Sequence, residues 1–452
     1  MIKKVIISLV ILLGLGQISL WAQDIQTLSL RKAIDLALQE NRTIMNAGND
    51  VLIAKKKVWE TTAIGLPQVK TELKYSNSVD VPITLMPAKI FNPNAGPNDY
   101  VPLKFGQQHS ASFNFTASQL IFSGEYIVGL QASKTFQELS KKAVIKSKND
   151  VIDLVTKSYY GVLLAYENEK VLRKTQKDIQ KTFDDISKTY KSGMVDETDV
   201  SQIELNLITV NNSLASIERQ ERNAENILKF QIGIPISDSI ALSDSLLGLF
   251  DRASLEGVMK QDFDISKNIE YQMLQTQKDI SSLSVKREKS TFLPTISAFY
   301  SHNVSGQTNN FDDYWSGHQN YYQSNIVGAG LSWSIFNSGS RLVKVQQAQL
   351  ELAKIKNQDY MLQQNLNFQY IKAKNDLVTA YQTYQKEAKN SKLAEKIYYR
   401  ASVKFSNGML SSTELTQLNL QYFNSQTALY RSIIGVLNAK AEIDKISGNN
   451  IK

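Results

Sequence analysis

The sequence predicts a mainly α-helical chain with a membrane β-barrel portion, built as two structural repeats. Three observations carry this reading: a passage that occurs twice in register, two long proline-free tracts, and four short segments of alternating polarity. Tyr190 to Leu214 reads YKSGMVDETDVSQIELNLITVNNSL and Phe405 to Leu429 reads FSNGMLSSTELTQLNLQYFNSQTAL, aligned without a gap at an offset of 215. Gly193-Met194 falls on Gly408-Met409, Thr198 on Thr413, Gln202 on Gln417 and Leu214 on Leu429. Upstream, Leu66-Pro67 and Leu293-Pro294 each precede an alternating segment. Ile121-Phe122-Ser123-Gly124 and Ile335-Phe336-Asn337-Ser338-Gly339 each precede a long helical pattern. A repeat is a statement about architecture, so function has to lie in what the repeated unit builds.

The first residues read as a secretory signal. Lys3 and Lys4 precede an apolar run from Val5 to Leu15, and Trp21-Ala22 stands before the polar Gln23-Asp24, which places a cleavage after Ala22. A membrane anchor needs about 18 to 20 apolar residues, and this run is shorter. The chain has no cysteine, so neither an acylated N-terminal cysteine nor a disulfide framework is available, as suits an envelope protein held by non-covalent packing. The formal net charge is +8, with both signs mixed along helical stretches. That is the pattern of solvated faces and lends no support to nucleic-acid binding.

Proline placement divides the rest. Five of the eight prolines (Pro82, Pro87, Pro93, Pro97 and Pro102) fall in one segment, while Leu103 to Ile234 and Thr295 to Lys452 contain none. Tracts of that length admit two very long helices. From Gly124 to Gly193 there is room for about 65 helical residues, about 100 Å at 1.5 Å per residue, and Gly339 to Gly408 repeats the span. Val155, Tyr159, Val162 and Tyr166 step by four, three and four. Val200, Ile203, Leu207, Val210, Leu214 and Ile217 alternate three and four, and Leu415, Leu418, Tyr422, Ser425 and Leu429 echo them. Such stripes are seams along which long helices lie side by side, without a ligand role.

Two alternating segments precede each long helix. Val69, Thr71, Leu73 and Tyr75 alternate with Gln68, Lys70, Glu72 and Lys74; Ala111, Phe113, Phe115 and Ala117 alternate with Ser110, Ser112, Asn114 and Thr116. In the second half Val327, Ala329, Leu331, Trp333 and Ile335 alternate with Gly328, Gly330, Ser332 and Ser334, whereas Thr295 to His302 is less regular because Phe299 sits on the polar side. Each strand is about ten residues long, the length of a tilted outer-membrane strand. Only four strands are expected, and four cannot close. An open sheet leaves backbone groups unpaired in lipid, so strands from several chains have to share one barrel. Two chains give a barrel of about eight strands filled by its own side chains, and three give twelve strands with a pore.

Residues 81–107 and 305–322 read as long polar loops, while each strand pair runs directly into a helix. This puts the loops at the extracellular rim and the helices on the other side. Tyr314, Trp315, Tyr321 and Tyr322 have two readings, as markers of the outer lipid interface or as packing within the loop. The expected organisation is residues 1–22 as signal peptide and a first repeat over 23–235 with a helix, a strand pair at 67–80 and 108–122, a long helix at 124–190, a tip at 191–198 and a helix at 199–232. The second repeat, over 236–452, has a helix at 252–290, a strand pair at 294–304 and 324–337, a long helix at 339–405, a tip at 406–413 and a helix at 414–446.

With these features together, the chain resembles the TolC-like outer membrane efflux proteins. The opening LSLRKAIDLALQEN from Leu28 to Asn41 is similar to that family's first helix, the two Leu-Pro pairs to its helix-to-strand junctions, and the two Gly-Met tips to its helix-hairpin ends. The resemblance spans about residues 28 to 446. It implies a homotrimer with a twelve-stranded barrel, a periplasmic α-helical barrel, and a belt formed by residues 232 to about 262 with the stretch after Ile433. It further implies a passive outer-membrane exit duct for a tripartite efflux or type I secretion system. The implied partners are a periplasmic adaptor (membrane fusion) protein and an inner-membrane RND or ABC transporter.

The tips carry the residue-level expectations. Gly193 and Gly408 end helices where a left-handed residue is cheap. Ser411-x-x-Glu414 has capping-box spacing and Asp196-x-x-Asp199 is a related acidic start, so helix capping alone accounts for these acids. The resemblance adds a second role. Aligned on the glycine, Glu414 falls where the family carries a constriction-lining acid, Gln417 stands where a second acid is common, and Asp199 is the counterpart in the outer hairpin. Three copies of Glu414 would form an acidic ring at the periplasmic gate. Gly193, Met194, Val195, Gly408, Met409 and Leu410 would be the surface that docks the adaptor, since exposed apolar residues at a tip mark docking, while a methionine also fills gaps between hairpins.

An enzyme reading finds no footing. There is no cysteine, and His109, His302 and His318 lack the spacing of a metal site or a triad. No cofactor is expected. The competing class is a periplasmic coiled-coil adaptor or scaffold without a pore, which leaves the apolar face of the strands unexplained.

Overall fold

The computed structural model describes residues 26–253, 257, 262–317 and 320–449. The expected signal segment and His318 lie outside the described residues. The elements run β1 (Gln26–Leu28), α1 (Leu30–Glu40), α2 (Arg42–Ala63), β2 (Gln68–Asn77), β3 (Ile83–Pro87), β4 (Tyr100–Lys104), β5 (His109–Phe122) and α3 (Gly124–Lys191). They continue with α4 (Glu197–Ile232), β6 (Ile240–Leu242), α5 (Leu246–Arg252), α6 (Ile269–Ser290), β7 (Thr295–Thr308), β8 (Tyr321–Ser332), α7 (Ser340–Ser406) and α8 (Ser412–Ile446). The chain divides into two compact units. One takes residues 51–140 and 275–358; the other takes the chain up to Asp50, residues 141–274, and the chain from Asp359.

The first unit holds a four-stranded antiparallel sheet in the order β2-β5-β7-β8. Each repeat supplies two strands, and the repeats meet at the central β5–β7 pair. Register sets Leu73 opposite Phe113, Phe113 opposite Val304, and Tyr300 opposite Val327. Since side chains alternate between faces, one face carries Val69, Leu73, Phe113, Phe115, Tyr300, Val327 and Leu331. The other carries Lys70, Glu72, Lys74, Ser112, Asn114 and Ser301. Among the described residues nothing covers the apolar face: Leu73 is 80% and Val327 82% exposed. The outer edges of β2 and β8 are unpaired, so a single chain forms no closed barrel.

Phe299 lies on the polar face, opposite Gly328. Its ring covers the glycine, and a Cβ at position 328 would stand 2.8 Å from Phe299 Cζ. A bare glycine thus makes room for an aromatic ring that breaks the alternation. At the strand-to-helix turn, Gly124 is held for a similar reason: a Cβ there would stand 2.9 Å from Leu293 Cδ1 and 3.1 Å from the Ser290 carbonyl oxygen. The Leu-Pro of one repeat packs onto the turn of the other.

Several expectations need correction. The described residues form eight strands, not four. The loop at 81–107 contains the β3–β4 hairpin, which pairs Leu85 with Pro102 and Pro87 with Tyr100; its prolines occupy an isolated two-stranded ribbon, where edge positions tolerate a missing donor. β1 and β6 are three-residue strands paired in parallel, too short to show a period. β7 extends to Thr308, and β8 starts at Tyr321 and stops at Ser332, so the loop expected at 305–322 is shorter at both ends. Tyr314 packs within that loop, edge-on to Phe311 at 6.1 Å with its hydroxyl on the Gly306 carbonyl, while Trp315 is exposed. The helix expected from 252 to 290 starts at Ile269. Asn268 caps it, its Oδ1 accepting from the Glu270 and Tyr271 amides and its Nδ2 donating to the Ile446 carbonyl.

The second unit is helical and organised on Tyr159, Leu28, Leu228, Ile232, Leu246 and Ile433, all fully buried. Ala33 and Ala37 give α1 a small-residue face in this core. Asp244 ties the region together: its carboxylate accepts from the Leu30 amide (2.8 Å), the Tyr159 hydroxyl (3.0 Å) and Arg252 (2.6 Å). Burial works against its charge, but these donors outweigh burial and hold the carboxyl below the usual aspartate range. Stability from this group is therefore present above about pH 4 and lost as pH falls through the depressed value. At the end of α4, Gly233 has φ +95°, and a Cβ there would meet the Glu40 carbonyl oxygen at 2.6 Å.

Gly233→Ala combines a left-handed backbone with a backbone clash, and is expected to cost about 2–4 kcal/mol. Gly193→Ala, at φ +74° with nothing near its Cβ, should cost only the conformational ~1 kcal/mol. Thermal unfolding followed by circular dichroism ranks the two; equal losses would contradict the packing at Gly233.

Candidate functional site at the helix-hairpin tips

Both hairpins turn by the same hydrogen bonds. At the first, the Gly193 amide donates to the Tyr190 carbonyl and the Met194 amide to that of Thr189. At the second, Gly408 donates to Phe405 and Met409 to Lys404. Each is a Schellman closure with glycine left-handed at φ +74° and +71°. Met194 and Met409 stand out from the tips, largely exposed, while Val195 and Leu410 are half-buried.

The return helices start differently. Ser411 Oγ accepts from the Glu414 amide at 3.2 Å, so α8 has a true side-chain cap. Asp196 occupies the cap position of α4 and Asp199 lies in its first turn, but Asp196 makes no side-chain cap bond; the Asp199 amide donates to the Asp196 carbonyl instead. Glu414 and Gln417 are exposed, three residues apart, and so share one face of α8. The Glu414 carboxylate sits in a helix first turn, where the dipole favours it. Asp199 belongs to the other hairpin and is half-buried.

The first hairpin is zipped by Leu172, Ile179 and Ile186 of α3, spaced by seven, against Ile203, Val210 and Leu214 of α4. Phe405, Leu420 and Phe423 of the second hairpin pack against this seam. A polar link joins the same helices. The Tyr398 hydroxyl on α7 donates to Asp178 on α3 at 2.9 Å, and its ring stacks on Tyr422 of α8 at 5.7 Å and 9°. Lys174 lies over Tyr422, whose hydroxyl receives a hydrogen bond from Gln426. Burial and the neighbouring Asp178 carboxylate raise the Tyr398 pKa far above the ordinary phenol value, so it remains a donor. Sequence reading placed Tyr422 in an apolar stripe and passed over Tyr398 and Asp178. The available signal was a hydroxyl-bearing aromatic at a seam position, since a buried phenol needs a partner.

Higher on the first hairpin, Arg173 bridges Glu169 and Glu218 (2.6 and 2.7 Å), and Tyr166 donates to Glu225 at 2.6 Å. Glu221 lies in this group beside Glu169 and Glu225. Burial, then the charges of Glu169 and Glu225, push its carboxyl up to about 7. His109 shares a hydrogen bond with the Tyr75 hydroxyl and His302 one with Asn325. Among the described residues no group of three or more His, Cys, Asp or Glu side chains is placed to hold a metal ion, and no helix is long and apolar enough to cross a membrane.

Residues 33–233 match the family model described as outer membrane efflux protein. No curated protein matches the chain. Among solved structures, the chain is similar to the Campylobacter jejuni CmeC outer membrane channel, with a TM-score of 0.69 at 17% identity over 93% of this chain and 86% of that one. It is also similar to the Vibrio cholerae outer membrane protein VceC, with a TM-score of 0.68 at 13% identity over 93% and 96%. The open state of the Neisseria gonorrhoeae MtrE outer membrane channel gives a TM-score of 0.69 at 14% identity over 94% and 89%.

A raised carboxyl pKa makes the folded state lose stability as pH climbs from about 4.5 to about 7. Glu221→Gln should remove that slope and gain up to about 1 kcal/mol at pH 8, the small value reflecting solvent screening. Chemical denaturation at pH 5 and pH 8 checks this, and an unchanged pH slope would contradict it. The matched segment is the first copy of a unit that the second half repeats, so the likeness to the outer membrane efflux proteins is carried by the first repeat and the likeness in fold by both.

Proposed function

We propose that the protein is the outer-membrane exit duct of a tripartite efflux or type I secretion system, working as a homotrimer. The observation that carries this reading is the four-stranded sheet with one bare apolar face and two open edges. In lipid every backbone group needs a partner, and three copies complete a twelve-stranded barrel wide enough for a water-filled lumen. The apolar face then meets the hydrocarbon of the outer membrane, and the face with Lys70, Glu72, Lys74, Ser112 and Asn114 lines the pore. The helical hairpins extend into the periplasm.

The duct is passive. Energy comes from an inner-membrane RND or ABC transporter joined through a periplasmic adaptor, which docks on Gly193, Met194, Val195, Gly408, Met409 and Leu410. The exposed methionines at both tips support this, since a soft, adaptable apolar surface suits partner contact. Glu414, with Gln417 beside it and Asp199 on the outer hairpin, forms the gate. One acid per chain in the inner hairpin makes a single ring of three, which draws cations to the constriction. The Tyr398–Asp178 bond holds the inner hairpin to the outer one of the same chain. A hydrogen bond to a charged acceptor is worth about 1.5–3 kcal/mol, enough to bias a resting state toward closure.

Reconstituted in planar bilayers, the wild type should give low conductance favouring cations, and Glu414→Gln should reduce that preference about two-fold or more. Tyr398→Phe should raise the conductance or the open fraction. Channels indifferent to Glu414→Gln would return that residue to helix capping alone, and a folded trimer that never conducts, even as Tyr398→Phe, would remove the duct.

A further inference from the structure

The internal repeat specifies what the two open edges of the sheet meet. Within a chain, the second strand of the first repeat, β5, pairs with the first strand of the second repeat, β7. The edge strands β8 and β2 stand in the same relation, second strand of one repeat and first of the other. The Leu-Pro pairs map β2 onto β7 at an offset of 227, and the Ile-Phe pairs map β5 onto β8 at an offset of 214. Leu73 thus corresponds to Tyr300 and Leu331 to Ala117, and Ala117 is opposite Tyr300 in the sheet. We infer that β8 of one copy pairs antiparallel with β2 of a second copy in the register that sets Leu331 opposite Leu73, Ala329 opposite Tyr75 and Val327 opposite Asn77. The inference rests on the shared-barrel reading and adds to it the residue pairs that form the seam.

Four observations support this register. It keeps faces matched, apolar against apolar, whereas a slip by one residue would turn every polar side chain of one strand to the lipid. It sets the long side chains of Lys70, Glu72 and Lys74 opposite Ser334, Ser332 and Gly330, so charge on one strand meets small residues on the other. It accounts for where β8 stops. β5 stays paired as far as Phe122, through an irregularity between Leu120 and Phe122, because Ile296 lies opposite. The matching end of β8, through Ile335 and Phe336, has no strand partner and is 82% and 83% exposed; by the same mapping Phe336 meets Val69 of the second copy. Finally, Gly124 is filled by Leu293, while the corresponding Gly339 has nothing near it and the corresponding Leu66 is exposed.

The cysteine-free chain allows a clean test. Directly opposed residues in an antiparallel pair lie about 4.5–5.5 Å apart at Cα, within disulfide reach. The variants are Leu331→Cys with Leu73→Cys, Val327→Cys with Asn77→Cys, and an offset control, Leu331→Cys with Val69→Cys. They are purified in detergent, confirmed to keep the wild-type particle size, oxidised and run on denaturing gels. The two registered pairs should give reducible ladders of two and three chains, and the control at most about a tenth of that yield. Control ladders as strong as the registered ones, or no ladder from either registered pair in trimeric particles, would overturn the register while leaving the shared barrel. A wild type that is monomeric in detergent would remove the shared barrel and the register together.

Discussion

A sheet that enters hydrocarbon cannot leave backbone donors and acceptors unpaired, and the rest of this architecture follows from that constraint. The chain supplies four strands with a bare apolar face and two open edges. Each feature is unfavourable alone in water: the face exposes large side chains such as Leu73 and Val327, and the edges are templates for unwanted pairing. Both become favourable once identical chains close on one another in a membrane. Duplication supplies the means, because a unit able to pair its own second strand with the first strand of its sequel can pair with a copy of itself by the same geometry.

The helical portion obeys a different economy. The long helices α3 and α7 are 68 and 67 residues, and each stops at a glycine whose left-handed backbone allows a six-to-one closure. Their stability comes from seams, with Leu172, Ile179 and Ile186 at intervals of seven, rather than from any one contact. Polar links such as Tyr398 with Asp178 interrupt the seams near the tips. An apolar seam is hard to part, whereas a hydrogen-bonded phenol can exchange its partner for water at modest cost, so the two hairpins part more easily at this link than along the seam.

Much of the fold was legible because it is periodic. The alternation of Val69 to Tyr75 and Ala111 to Ala117, the three-four spacing of Val200 to Ile217, and the paired Gly-Met tips each mark an element by a local rule. What escaped was set by distance or disguise. β1 and β6 pair across 214 residues with three residues apiece, the β3–β4 hairpin is hidden by prolines that its edges tolerate, and the start of α6 is decided by Asn268 bonding to Ile446. Phe299 breaks the alternation of its strand, and only the pairing with Gly328 across the sheet explains how its ring is accommodated. At the candidate site, Glu414 and the methionines were readable from the tip sequence, whereas the Tyr398–Asp178 link joins residues 220 apart and needed the packed structure to be seen.

The mass of the protein in its detergent-extracted particle, measured by light scattering with the detergent contribution subtracted, tests the central claim most directly. A particle of three chains that requires detergent to stay dispersed is the expected result. A monodisperse single chain or pair of chains, stable without detergent, would contradict a sheet built to be one third of a shared barrel.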